Sequence, residues 1–216
     1  MTLKLNGSSS GSVSIDAPAS TTGGADLTYT LPNATTGGVI RTTTTPGAIV
    51  QVKNVHFNSG IANIDHPAQN SSQTWWEYDN ANLRVGLTPT STSNKILIMG
   101  HVNVGLSTAG TAYIRLYRRL ASGTGATVGS NTATNSTAPL CIATTGLVDQ
   151  SNCANCVSIT FYDTPANTSD EHVYYYGFTH DSSSTRLIGI NRTADDSGNY
   201  YNGRSSSAIT LMEVAG

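Results

Sequence analysis

Cys153 and Cys156 have the C-x-x-C spacing that occurs in metal knuckles and redox pairs. A structural zinc site needs four ligands, but the chain has one further cysteine, Cys141, and His172 lies sixteen residues beyond Cys156. A thioredoxin-like pair needs a βαβ context, which the flanking sequence lacks. We therefore expect free structural cysteines in a loop, with no metal and no cofactor; a disulfide is the main alternative.

Two acid–histidine pairs, Glu171-His172 and His180-Asp181, have the residue types that hold a cation. They stand at opposite ends of one predicted strand, and at about 3.3 Å per residue they are more than roughly 20 Å apart. His101 falls on one face of a different strand, where we expect a partly buried histidine. The histidines therefore predict no shared site.

The sequence also lacks the patterns of common hydrolases. It contains no Gly-x-Ser-x-Gly elbow and no spacing that indicates a Cys/His pair. A glycosidase needs two close carboxylates, whereas most acidic residues here fall in predicted turns, including the Asp195-Asp196-Ser-Gly sequence. We expect a protein without enzymatic activity.

Two aromatic clusters suit sugar recognition, because aromatic rings stack on sugar rings while amides and hydroxyls bond the sugar hydroxyls. One is Trp75-Trp76-Glu77-Tyr78, and the other is Asn-Tyr-Tyr-Asn-Gly-Arg at residues 199–204. Exposed aromatic residues in a loop are difficult to explain by core packing. The candidate receptor-binding or glycan-binding residues are Tyr200, Tyr201, Asn202, Arg204, Trp75 and Trp76.

Packing offers a second explanation for the same residues. Tyr200 and Tyr201 would then lie between subunits. Of two adjacent strand tryptophans such as Trp75 and Trp76, one ring usually faces the core and the other often packs at an interface.

A row of tyrosine and arginine is the candidate subunit interface. In the predicted strand from Ala112 to Leu120, Ile114 and Leu116 form the core face. Tyr and Arg are enriched in protein interfaces. The alternating residues that form the candidate interface are Tyr113, Arg115, Tyr117 and Arg119.

The composition predicts an all-β protein. Of 216 residues only 11% are charged, the net charge is −2, and 56 are Ser or Thr, about 26%. Few Glu and Lys residues remain for surface helices, while Thr, Val, Ile, Tyr and Gly suit strands and turns. The chain has no basic stripe, which argues against nucleic-acid binding. It has no run of eighteen apolar residues that would insert into a membrane and no apolar signal-peptide core.

The strand pattern is organised around the stretch from Leu83 to Val104. Its second strand places apolar residues on one face: Ile96, Ile98, Val102 and Val104. Because Leu97 and Met99 on the other face are also apolar, we predict a central strand buried on both sides at its start. From Ile49 to Val214 we expect eight to ten strands, which suit an antiparallel two-sheet β-sandwich of jelly-roll-like type. Residues Ala121 to Ala138 are expected to be a long loop.

Residues 1–45 form a separate N-terminal segment. Three short alternating pieces are divided by Gly/Ser or Gly/Thr spacers, and their apolar residues are Leu3, Leu5, Val13, Ile15, Leu27 and Leu31. These residues cannot close a core within one chain, so we expect an extended β segment that pairs with other copies or with another protein. The Thr-rich joint at residues 35–46 is the predicted boundary, which leaves residues 46–216 as the sandwich domain.

Four stretches of the sequence carry a resemblance. The N-terminal Leu-Lys-Leu-Asn-Gly-Ser-Ser-Ser-Gly-Ser-Val-Ser-Ile-Asp-Ala-Pro-Ala resembles the N-terminal segment of tail-fibre-like proteins of marine bacteriophages, including cyanophages. The blocks 87–97, 162–166 and 207–215 resemble the C-terminal receptor-binding domain of the same proteins. All of these motifs are structural rather than catalytic.

The resemblance implies a homotrimeric virion fibre, made in the host cytoplasm. Its N-terminus would attach to a tail adaptor, nozzle or portal-proximal protein, and its sandwich would contact a host surface glycan or protein. The family often has a long shaft, but here only the joint at residues 35–46 separates the two parts, so we expect a short fibre. That departure leaves room for a capsid decoration protein or head fibre. A carbohydrate-binding or carbohydrate-cleaving module is a further alternative.

Overall fold

The computed structural model describes residues 2–6, 12–16, 46–59, 61–67, 74–79, 82–121, 123, 126–129, 141–148, 151, 153–194 and 203–216. The chain divides into two compact units, Met1–Ile40 and Arg41–Gly216. The division falls within the joint at residues 35–46 that the sequence predicts as the boundary. No helix long and apolar enough to span a membrane occurs in the described ranges.

The described part of the first unit is a hairpin. Strands β1 (Thr2–Asn6) and β2 (Ser12–Asp16) pair in antiparallel orientation. The register joins four of the predicted attachment residues across the hairpin, Leu3 with Ile15 and Leu5 with Val13. The other two, Leu27 and Leu31, lie outside the described residues. A two-stranded hairpin is only marginally stable by itself, so this unit needs further contacts.

The second unit is an antiparallel β-sandwich of two six-stranded sheets. Sheet I consists of β5 (Trp76–Glu77), β6 (Arg84–Leu87), β8 (Gly110–Leu120), β9 (Ala126–Gly129), β10 (Ala143–Val148) and β12 (His172–His180). Sheet II consists of β3 (Ile49–Phe57), β4 (Ile61–His66), β7 (Lys95–Leu106), β11 (Ala154–Asp163), β13 (Arg186–Ile190) and β14 (Ser207–Val214). The predicted all-β sandwich is confirmed.

Each sheet is four strand positions wide, because several strands lie end to end. In sheet I, β12 pairs with β8 on one edge and with β6 and β5 in succession on the other, and the far edge of β8 carries β9 and β10. In sheet II, β7 pairs with β11 on one edge and with β14 and β13 in succession on the other. Strand β3 then borders β14, and β4 borders β13.

The core lies between the sheets and follows the alternation of the strands. In β7 the predicted face is fully buried, and in β14 Ile209 and Leu211 are buried while Met212 and Val214 on the other face are half-buried. In β8 the predicted core residues Ile114 and Leu116 are fully buried. One apolar cluster joins these strands with the aromatic residues of β12.

The prediction that β7 is buried on both faces is wrong. Leu97 is only half-buried and Met99 is exposed. The strand buried on both faces is β12, in which all nine residues are buried. Its outer face is covered by the ring of Tyr117, which lies so close that a Cβ on Gly177 would collide with it. Side chains of the same chain therefore cover the outer surface of sheet I around β12, whereas the outer surface of sheet II around Met99 is exposed.

Two short strands are missing from the sequence prediction. Strand β9 lies inside the stretch 121–138, which was expected to be a loop, and its Val128 packs against the core. Strand β4 continues sheet II beside β13. Both are too short, or too weakly alternating, for periodicity to identify them. Cys156 also lies in strand β11 rather than in a loop.

Gly100 in β7 permits a close contact between the sheets. A Cβ at this position would lie 2.4 Å from the hydroxyl oxygen of Tyr176 and 2.5 Å from the carbonyl oxygen of Ala208. The Tyr176 hydroxyl crosses from sheet I and donates a hydrogen bond of 3.2 Å to that carbonyl. A fully buried hydroxyl is thereby satisfied, which avoids the cost of an unpaired polar group in the core.

Arg118 links the sheets by an ion pair at one end of the sandwich. Its side chain lies on the core side of β8, and its guanidinium donates to the Asp163 carboxylate of β11 at 2.6 Å. The same carboxylate oxygen accepts the Tyr174 hydroxyl at 2.7 Å. Burial and this negative partner raise the pKa of Tyr174, so its hydroxyl stays protonated and remains a donor.

Glu213 is a fully buried carboxylate near the end of β14. It accepts hydrogen bonds from Gln51 Nε2 at 2.6 Å, from the backbone N–H and hydroxyl of Thr90 at 2.7 and 2.8 Å, and from Asn94 Nδ2 at 2.7 Å. Burial alone would raise its pKa, but these donors outweigh burial and hold the pKa below the ordinary value. The carboxylate thus fixes the turn between β6 and β7 to the last strand.

Three histidines are buried: His66, His172 and His180. Burial lowers the pKa of each, and a neighbouring positive group adds to the effect, namely Arg118 for His172 and Arg186 for His180. The rings of His66 and His180 meet edge to face, with their centroids 5.0 Å apart. The backbone N–H of Ser182 donates to Nδ1 of His180, so that nitrogen is unprotonated and the ring is neutral.

Glu213→Ala should reduce the free energy of unfolding by about 3 kcal/mol, because it leaves several buried donors unpaired. Urea denaturation measures the change. Glu171→Ala, at an exposed carboxylate, is the matched control and should change stability by less than about 0.5 kcal/mol. Equal stability of the two variants would contradict a structural role for the Glu213 hydrogen bonds.

The sandwich should lose stability as the pH falls below about 6.5. The buried histidines have folded-state pKa values below 6.5, so the unfolded chain binds more protons in this range and acid favours unfolding. Above about pH 5 the carboxylates contribute little, because they are ionised in both states. We expect a lower urea midpoint at pH 5.5 than at pH 7.5; equal midpoints would show that the three rings are not held neutral by burial.

Candidate functional site

The outer surface of sheet I carries the predicted Tyr/Arg row. Tyr117 stacks on Tyr175 of the neighbouring strand, with ring centroids 5.6 Å apart and planes inclined by 10°. The Tyr175 hydroxyl donates to the Glu77 carboxylate at 2.8 Å. Burial and this carboxylate raise the pKa of Tyr175. Tyr117 is itself buried, so the chain already covers this part of the row.

Trp75 and Trp76 point to opposite sides of sheet I. The Trp76 ring packs against the core beside Phe178 and Tyr78, with centroids 5.6 and 5.1 Å away. The guanidinium carbon of Arg115 lies 3.8 Å from the Trp75 ring centroid, in the geometry of a cation–π contact. One tryptophan is therefore a core residue and the other belongs to the outer surface.

An ionic cluster extends the row toward the end of β8. Asp79 accepts from Arg119 Nε at 2.5 Å and from Arg84 at 2.9 Å. Burial alone would raise the pKa of Asp79, but the hydrogen bonds from the two guanidinium groups lower it. Both cations are thus paired with the same carboxylate within the chain.

The Tyr/Arg row is consequently occupied by contacts within one chain. Arg115 covers Trp75, Tyr117 stacks on Tyr175, and Arg119 pairs with Asp79. Tyr113 is half-buried. Such a surface offers the edges of rings and paired charges to a ligand rather than an open aromatic platform. Its role as a subunit interface stays a prediction.

The second predicted binding cluster is only partly described. Tyr200, Tyr201 and Asn202 lie outside the described residues. Arg204 is exposed and forms an isolated antiparallel bridge with Arg192. The structure therefore places Arg204 at the surface of sheet II, far along the chain from the tryptophans, and does not bring the two predicted clusters together among the described residues.

None of the three cysteines forms a disulfide. Cys153 and Cys156 are exposed, and Cys141 is half-buried, where burial raises the pKa of its thiol. Free cysteines were predicted, and the disulfide alternative is not formed. Within the described ranges no three His, Cys, Asp or Glu side chains converge as a possible metal site.

The outer surface of sheet II was not predicted as a site. We call the Met99 face the surface formed by Ile49, Val52, Leu97, Met99, Tyr162 and Met212. A row of paired residues crosses all four strands, from Val52 through Met212 and Leu97 to Tyr162. The next row runs from Asn54 through Thr210 and Met99 to Thr160. An uncharged, partly apolar surface results.

The Met99 face holds four of the five exposed large hydrophobic residues of the described chain. The sequence signal for it was the apolar second face of two strands, at Leu97 and Met99 in β7 and at Met212 in β14. For β7 the sequence analysis predicts that this face is buried within the chain. Alternation shows that a strand face is apolar but not which molecule covers it. The sequence alone therefore could not distinguish a face buried within the chain from a face that is exposed in a single copy.

Comparisons with known proteins give no relative for this chain. No protein-family model matches it, and no curated protein matches it.

Arg115→Ala should make Trp75 more accessible to acrylamide and shift the tryptophan emission to longer wavelength, because it removes the group that covers the ring. Trp75 and Trp76 are the two tryptophans of the chain, and Trp76 serves as a core reference. Arg84→Ala is the matched control, since it removes a cation of the same surface that pairs with Asp79 instead. Unchanged quenching in Arg115→Ala would show that the described packing of the row is wrong.

Proposed function

We propose that this chain is a bacteriophage tail fibre structural protein, without enzymatic activity. Three copies form a short fibre that attaches to the virion through residues 1–45 and contacts a glycan or protein of the host surface through the sandwich. The observation that carries the proposal is the division of the chain into a small N-terminal unit and a large sandwich. An attachment protein needs these two parts, one for the particle and one for the cell.

The N-terminal unit supports the attachment role. Its described strands, β1 and β2, form a hairpin with two apolar cross-strand pairs. So small a hairpin gains stability only by packing on something else. Further copies of the hairpin and a tail adaptor, nozzle or portal-proximal protein are the partners that the proposal names.

The stretches that carry the resemblance have structural roles in the sandwich. Thr90 and Asn94 of the block 87–97 bind Glu213 of the block 207–215. Asp163 of the block 162–166 pairs with Arg118. Near the end of the sandwich where Ile96 pairs with both Glu213 and Asp163, the first contacts join the turn between β6 and β7 to β14, and the second joins β11 to β8. A family of sandwich domains with different receptors would share such residues, so they support the fold of the proposed head rather than a particular receptor.

The strand connections support a jelly-roll-like arrangement as the finer form of the proposed fold. Strands distant in sequence are neighbours in both sheets, as when β14 lies between β3 and β7 and β12 lies between β6 and β8. Trimerisation is the second finer element, because three weak receptor sites on one particle protein gain avidity without new contacts.

A capsid location is the alternative within the same class of protein. A decoration protein or head fibre would use the same two units on the capsid surface instead of the tail. Labelling the protein on assembled particles and locating the label by electron microscopy separates these two locations.

Deleting residues 1–45 should leave a soluble, folded sandwich that no longer incorporates into particles. Within the full chain, Leu3→Ser together with Leu5→Ser should reduce incorporation strongly, whereas Lys4→Ser, at the intervening position of β1, should not. Circular dichroism checks folding, and immunoblotting of purified particles measures incorporation. Normal incorporation of the truncated chain would rule out the attachment role.

A further inference from the structure

The outer surfaces of the two sheets differ in how much apolar side-chain surface they expose to a partner. On sheet I the arginines already pair with Asp79 or lie against Trp75, and Tyr117 is buried. On sheet II the exposed apolar residues have no such cover from the described chain, with Met99 at 42% and Tyr162 at 58% exposure. A partner that removes apolar surface from water would therefore gain more at sheet II.

The composition of the Met99 face matches the core of a protein interface. Such cores are depleted in charge and enriched in Met and aromatic residues. Two of the three methionines of the chain, Met99 and Met212, lie on this face beside Tyr162. The two paired rows that contain them hold no charged residue, and Thr and Asn are their polar members beside Tyr162. Lys95 lies at the rim, where its Nζ donates to Thr164.

The charges of the face indicate which partner fits. A nucleic acid or an acidic protein would find no cluster of cations on the Met99 face, and a basic partner would find no carboxylate in its rows. Further copies of the same uncharged face are complementary, because they can pack together around an axis without burying an ion or opposing like charges.

The size of the face points to the same partner. Four strands about 4.8 Å apart and seven residues of about 3.3 Å each give an area of roughly 440 Å². A stable interface between independent proteins buries about 800 Å² per partner. The Met99 face alone is therefore too small to hold a free partner tightly, but it is large enough for a partner kept at high local concentration by a second attachment. A copy of the same chain joined through the N-terminal unit meets that condition.

We propose that the Met99 face is the surface through which the sandwich domains of neighbouring copies pack around the trimer axis. The proposal rests on the trimeric fibre proposed above and assigns the subunit contact to sheet II instead of the Tyr/Arg row of sheet I. Leu97 and Met99, on the central strand β7, lie nearest the middle of this contact. Val52 and Tyr162, on the two edge strands, lie at its margins.

The test uses sedimentation velocity of the full chain over a range of concentrations. Met99→Glu places a carboxylate from each copy near the middle of the contact, and Tyr162→Glu, made separately, places one at its margin. Each should raise the concentration at which the trimer dissociates at least tenfold. Leu147→Glu is the matched control, because Leu147 is the fifth exposed large hydrophobic residue and lies on sheet I. It should leave dissociation unchanged.

Val52→Glu, at an exposed position of an edge strand, provides a further variant in case Met99→Glu lowers the thermal midpoint. A wild-type trimer whose dissociation is the same in all folded variants refutes the assignment of the face and leaves the proposed fibre standing. Folded Met99→Glu trimers that adsorb less to host cells would likewise refute it, and would assign the face to the host surface. A wild-type chain that is monomeric at every concentration refutes both the contact and the trimeric fibre.

Discussion

The last strand of the chain lies in the middle of a sheet. Strand β14 pairs with β3 on one edge and with β7 on the other, so sheet II is incomplete until the final residues of the chain are in place. The Glu213 carboxylate fixes this strand, because it accepts hydrogen bonds from Gln51, Thr90 and Asn94, on both sides of β14. The same strand supplies Ile209 and Leu211 to the core and Met212 to the outer surface of sheet II.

The two outer surfaces follow from different neighbours. Strand β12 is buried on both sides because Tyr117 covers Gly177 and because Glu77 and Arg119 complete the outer layer of sheet I. Sheet II has no such layer in the described chain, so its central strand exposes Met99. The outer surface of sheet I is therefore covered within a single copy, whereas that of sheet II exposes apolar residues in the described chain. We propose that a neighbouring copy covers them. A fibre that repeats one weak receptor site three times needs such a difference, because one surface must join the copies while others remain for the cell.

Much of the fold could be predicted from alternation. The strands containing Ile96, Ile114 and Ile209 are long and regular, and their bounds and core faces agree with the structure within a few residues. The short strands β4 and β9 were not predicted, because four to six residues carry too little periodicity. The burial of β12 and the exposure of Met99 also escaped, since they depend on contacts between strands distant in sequence.

Glu213 and Arg118 are charged residues at core positions, a sequence signal that the prediction did not use. Glu213 shares the strand face of Ile209 and Leu211, and Arg118 shares the face of Ile114 and Leu116. A charged residue at a core position predicts a buried hydrogen-bonded or ion-paired group. The partners, however, are distant along the chain and could not be named from the sequence. The candidate binding site was less predictable still, because an exposed aromatic residue and a packed one look alike in a sequence.

The assembly of three copies is the central claim of this account, and the molar mass of the purified full chain tests it most directly. Light scattering should give about 67 kDa, three times the 22.5 kDa of one chain. A mass of one chain at all accessible concentrations would contradict a trimeric fibre and would favour a free binding module.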